Sequence, residues 1–143
     1  KLGWRLYSID AEKFNQPIKW TKLRVDYVIP EYGSELTGES YILEMGFERL
    51  NGVDFKKGCY VGQEVTARMK HKTELHKGLV KIGSEETMVN GEELFLNAKP
   101  IGSVLTVYDR SALAYVRLKN KDEILSTKST KRIFVDTNPI SSN

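Results

Sequence analysis

The residues able to do chemistry gather in one short stretch. Residues 56–71 read KKGCYVGQEVTARMKH and contain the chain's single cysteine, Cys59. Cations or a helix N-terminus beside a thiol favour its reactive thiolate form. Lys56 and Lys57 precede Cys59, and a helical pattern opens near Val61, so both influences stand close in sequence. Gly58 and Gly62 flank the cysteine, where the lack of a side chain lets the backbone bend and leaves the sulfur accessible. A lone cysteine also packs well as a small buried hydrophobe, so local chemistry admits both a working thiol and an inert one. Between Lys56 and Lys77 six basic residues face two acidic ones, Glu64 and Glu74, with His71 and His76 in addition. Such a field suits a thiolate, an acidic ligand or an RNA phosphate, and equally a solvated face. His71 and His76 have no partner cysteines at metal-ligand spacing, so no metal site is read. An iron–sulfur cluster usually takes four cysteine ligands, so one thiol cannot hold a cluster by itself.

The elements that must position this segment follow from periodicity. Residues 2–9 alternate apolar and polar, a strand pattern. Pro17 opens a helical phase through Ile18, Lys22, Val25 and Ile29, and Pro30 stops it. Residues 31–39 read as a loop, 41–46 as a short strand or turn, and Asn51-Gly52 as a tight turn. In the second helical stretch Val61, Val65 and Met69 share one face, expected to be core, while Glu64 and Arg68 are spaced for an i,i+4 ion pair. Beyond His71 the texture changes to short apolar runs at 75–82, 92–96, 101–108, 112–118 and 132–135, the pattern of a small barrel or sandwich. Residues 126–131 read as a loop and 138–143 as a flexible tail. A boundary falls between 72 and 76, with a mixed α/β piece (1–72) before it and an all-β piece (77–137) after it.

Composition sets the outer bounds. The 143 residues are 40% hydrophobic and 29% charged with a net charge of +3, the balance of an ordinary globular protein. No apolar run nears the ~20 residues of a membrane-spanning helix, so no membrane partner is expected. Arg5 and Asp10 interrupt any signal-peptide pattern. One cysteine allows no internal disulfide, which points to a reducing compartment. A start on Lys1, directly ahead of a strand pattern, raises the expectation of a product whose N-terminal part once paired with that strand.

Lys57-Gly58-Cys59-Tyr60-Val61-Gly62-Gln63-Glu64 resembles the K-G-C-Y-x-G-Q-E signature of the YgfZ-type folate-binding proteins. These are relatives of the glycine-cleavage aminomethyltransferase (T-protein) that act in maturation of iron–sulfur proteins. Gly3-Trp4-Arg5-Leu6, the segment 51–55, Thr66-Ala67-Arg68 and the segment 112–117 are similar to the family's flanking segments. The resemblance implies an α+β fold: the end of a ferredoxin-like folate-binding part followed by a C-terminal antiparallel β-barrel, with a further domain before Gly3. It implies Cys59 as the working residue, supported by Lys57, Gly58, Tyr60, Gly62, Gln63, Glu64 and Arg68. It implies tetrahydrofolate as the cofactor. The T-protein segment L-R-x-E-A-G matches Leu23-Arg24-Val25-Asp26-Tyr27-Val28, which lacks the Ala-Gly pair. Asp26 falls on its pterin-binding acid with a shorter side chain, Arg24 on a contact for the folate glutamate tail, and Glu44 is a further cavity candidate. The implied role is an accessory factor serving iron–sulfur proteins or the cluster-assembly machinery, including enzymes that modify tRNA. Its compartment would be the bacterial cytoplasm, or the mitochondrial matrix in a eukaryote. The alternatives are a tetrahydrofolate-dependent one-carbon transferase and an RNA-binding module.

Overall fold

A computed structural model describes residues 17–72, 74–117, 119, 125–127 and 131–136. The strand expected at 2–9 and the tail at 138–143 lie outside the described residues. Helix α1 spans Trp20–Tyr27 and is shorter than the apolar phase suggests. Its N-cap is Lys19, which makes no side-chain capping bond, so Pro17 stands ahead of the helix and not in its first turn. At the far end Val28 adopts φ 52°, and the Ile29 N–H donates to the Arg24 carbonyl at 2.9 Å, a Schellman-type ending. A β-branched residue seldom takes a positive φ. Tertiary contacts hold Val28 there: it is buried with Val25 against Leu113, and Arg49 Nη2 donates to its carbonyl at 2.6 Å.

Residues 31–55 run in turns, with one isolated bridge between Tyr32 and Leu36. Glu35 anchors the first of them. Its fully buried carboxylate accepts from Arg24 Nη2, from the Thr106 hydroxyl and from the Glu31 N–H at 2.9 Å. The Asn51-Gly52 turn forms as expected, with Asn51 at φ 56° and the Gly52 N–H donating to the Phe47 carbonyl at 2.7 Å. A Cβ on Gly52 would lie 2.7 Å from the Phe47 ring, so the close approach demands glycine. Helix α2 covers Gln63–Lys72.

Beyond it come six strands: β1 Lys77–Ser84, β2 Glu93–Leu96, β3 Lys99–Tyr108, β4 Ser111–Arg117, β5 Leu125–Thr127 and β6 Arg132–Asp136. All pairings are antiparallel, in the closed order β1-β4-β3-β2-β5-β6. The architecture is α+β with a strongly curled antiparallel sheet. Five strands make most of it; β5 contributes two residue pairs on either side. Ser126 and Thr127 therefore belong to a strand and not to the loop expected at 126–131. Three residues rich in Ser and Thr carry no readable period, and β2 and β6 decide their conformation.

Alternation sorts the sheet's side chains into two sets. Ile82, Leu94, Val104, Ala112, Ala114, Val116 and Ile133 point inward and form the core. Leu113 points outward, where Val25 and Val28 cover it together with Leu79 and Tyr108. Strand β4 is thus buried on both faces, which explains its nearly unbroken apolar run. Burying a leucine of this kind contributes about 1.5–3 kcal/mol. Among the described residues, no helix is long and apolar enough to cross a membrane.

Candidate functional site

Cys59 lies on a bent segment ahead of α2, and it is exposed. It is therefore not packed as a small buried hydrophobe. Gly62 turns the chain into the helix at φ +85° with open space where a Cβ would stand, so its backbone angle is what calls for glycine. Gln63 stitches the turn: its Oε1 accepts from the Tyr60 N–H at 3.2 Å. Asp54 Oδ1 accepts from the Lys56 N–H at 2.8 Å and shapes the approach.

Two aromatic rings take up part of the local charge. Lys57 Nζ stands 4.8 Å from the Tyr60 ring centroid, and Lys70 Nζ stands 5.2 Å from that of Phe55. Lys70 also pairs with Glu48, tying α2 to the preceding turns. Between helix and turns opens a cleft of about 90 Å³, with Phe55, Lys57, Gly58, Tyr60, Gln63 and His71 among its lining. Cys59 is at its rim, between two lining residues, and is not itself one of them. Phe55 and His71 carry no mark in the signature; the i,i+3 spacing of Lys57 and Tyr60 was the available hint.

The α2 stripe departs from expectation. Val61 is fully exposed and Val65 is half exposed at 51%, so they are surface and not core. Periodicity identifies a shared face but not whether anything packs on it. Glu64 and Arg68 are both exposed, and no ion pair forms between them among the described residues.

The three cofactor candidates lie apart from the cysteine cleft and are engaged by neighbours. Arg24 is buried, bonded to Glu35, to Glu31 at 2.6 Å and to the Ile29 carbonyl at 3.3 Å. It closes α1 and anchors the following loop. Asp26 is paired with Lys22 at 2.5 Å and Lys81 at 3.2 Å. Burial pushes its carboxyl upward, but hydrogen bonds and charge from these two lysines outweigh that and hold it below the ordinary aspartate range. Glu44 accepts the Tyr115 hydroxyl. Burial, reinforced by the Glu44 carboxylate, raises the Tyr115 phenol well above its usual value, so it remains the donor. Asp26 and Glu44 thus sit over the outer face of the sheet at β1 and β4, and neither lines the cleft beside Cys59. Among the described residues, no group of three or more His, Cys, Asp or Glu is arranged to hold a metal ion.

Fold and site together define an α+β protein that presents one thiol beside a small cleft walled by aromatic rings. No family model matches the chain. Individual relatives do: the chain is homologous to fungal proteins named iron-sulfur cluster assembly factor IBA57 homolog, mitochondrial. That from Aspergillus fumigatus is 36% identical over 94 residues, covering 65% of this chain and 19% of the relative. That from Neurospora crassa is 47% identical over 53 residues, covering 36% of this chain and 12% of the relative. The chain therefore matches about a fifth or less of the length of these relatives. The resemblance read from the cysteine segment, to proteins acting in maturation of iron–sulfur proteins, agrees with the names of these relatives.

Proposed function

We propose that this chain is the cysteine-bearing part of a factor for assembly or repair of iron–sulfur proteins, with Cys59 as its working residue. The observation that carries the reading is the exposed Cys59 on a glycine-framed turn, in a chain homologous to cluster assembly factors. One thiolate cannot hold a cluster, so Cys59 would supply a single ligand to a cluster in transit whose other ligands belong to the donor or acceptor protein. Tyr60, Gly62 and Gln63 set the turn, Lys57 and Gly58 line the cleft beside it, and Glu64 and Arg68 would offer charges to the docking partner. Client enzymes would include those that modify tRNA. The names of the two relatives favour a mitochondrial site of action over a bacterial cytoplasm.

Tetrahydrofolate would bind away from the thiol, over the outer face of the sheet, with Asp26 and Glu44 as its carboxylates. Their bonds to Lys22, Lys81 and Tyr115 would then have to yield to the pterin. A one-carbon transferase is the less supported reading, because that chemistry uses the folate amine and a carboxylate and leaves the exposed Cys59 without a role.

Cys59→Ser tests the assembly role. Because the side chain is exposed, the melting temperature should stay within about a degree or two of wild type. Rescue of iron–sulfur enzyme activity in cells lacking the factor should disappear when the variant is carried in the otherwise complete protein. Full rescue by the serine variant would refute the role.

A further inference from the structure

A second cleft lies at the opposite ends of the strands from Asp26, where β1 begins, β4 ends and β3 begins. It has a volume of about 190 Å³, larger than the one beside Cys59, and is lined by Lys77, Pro100, Ile101, Gly102, Tyr115 and Arg117. Lys77 and Arg117 are direct cross-strand partners. Like charges placed opposite each other destabilise an antiparallel pair, and here both side chains are exposed at the cleft. Two other cations of this region, Lys81 of β1 and Lys131 just ahead of β6, are compensated. Lys81 meets Asp26 at 3.2 Å and Asp136 at 3.6 Å, and Lys131 meets Glu92 at 3.5 Å. Among the described residues, neither Lys77 nor Arg117 has a carboxylate partner. Glu44, which reaches Tyr115 of the cleft lining, is taken up by the Tyr115 hydroxyl. Lys77 Nζ stands 5.7 Å from the Tyr115 ring centroid, so the ring helps hold one cation at the cleft wall. Lys99, at the start of β3, and Lys119, just past β4, add exposed positive charge at the same end of the sheet.

From this uncompensated pair at a concave surface, we infer that the Lys77–Arg117 cleft is a binding site for a phosphate group. Arg117 supplies a planar fork matched to two phosphate oxygens, Lys77 supplies a point charge, and Tyr115 forms an aromatic wall for the body that carries the phosphate. The site is separate from Cys59 and does not rest on the assembly role. A mononucleotide and a strand of RNA both present this chemistry.

Titration of the 143-residue chain with AMP, and separately with a short single-stranded oligouridylate, distinguishes the two sources. Binding of either in low salt, weakened at least tenfold in Lys77→Gln/Arg117→Gln and unchanged in Cys59→Ser, supports the site. AMP binding identifies a small phosphate ester; oligouridylate binding alone, falling steeply with salt, identifies a polymer backbone. The double variant should melt no lower than wild type, because a repulsive pair has been removed, and AMP or oligouridylate should raise the melting temperature of wild type only. No binding of either probe in low salt, or equal affinity in the double variant, overturns the proposal.

Discussion

Asp26 and Glu35 show how far two carboxylates of one small region can differ in environment. Asp26 remains partly open to water, and its lysine partners hold its folded carboxyl below the ordinary value of 3.8. A depressed carboxyl contributes stability above the unfolded value, and that contribution fades as pH falls through the folded one. Asp26→Asn should therefore lose up to about 1 kcal/mol at pH 7, no more because partly exposed ion pairs are screened by solvent. The difference from wild type should shrink as pH falls below about 4, where the unfolded carboxyl begins to protonate, and go on shrinking as pH falls through the lower folded value. Urea midpoints at pH 7 and pH 3 check this; a variant equal to wild type at pH 7 contradicts it. The same pairing has a functional side, because any pterin recognised by Asp26 competes with Lys22 and Lys81.

At the level of elements, the turn before α2 carries the site and α2 itself is lightly packed. Gly62→Ala would meet no atom, since nothing lies within 4 Å of the added Cβ. Its cost is conformational, about 1–2 kcal/mol for a side chain held at positive φ. Val65→Ser, on the exposed face, should change stability by less than about 0.5 kcal/mol. Thermal melts of the two variants should separate them in that order, and a larger loss for Val65→Ser would mean the face is covered. The helix was legible in the sequence because Val61, Val65 and Met69 keep its period. Its exposure was not, because a period says which residues align and nothing about what lies opposite them. Helix α1 teaches the converse: its early end depends on Val28 taking a left-handed angle, which only burial against Leu113 and the bond from Arg49 can sustain.

At the scale of the whole molecule, a few polar groups join the helical part to the sheet. Glu35 binds Arg24 of α1, the loop at Glu31 and Thr106 of β3 at once, with no access to water. Removing one partner of a buried pair costs about 3–5 kcal/mol, because the other charge stays buried. Glu35→Ala should thus lower the melting temperature by roughly 10 °C or more, whereas a shift of a degree or two would show that Glu31 alone satisfies Arg24. The amino-acid order alone determined the cysteine and its glycine frame, the switch from helical to strand texture after 72, and five of the six strands. These are local properties, written in backbone freedom and in periods of about 3.6 and 2 residues. Tertiary structure alone decided that Ser126 and Thr127 pair as a strand, that Arg24 and Asp26 are claimed by Glu35 and Lys81, and that Lys77 faces Arg117 across a cleft. Each of those depends on residues distant in the chain, and no local period encodes which distant groups will meet.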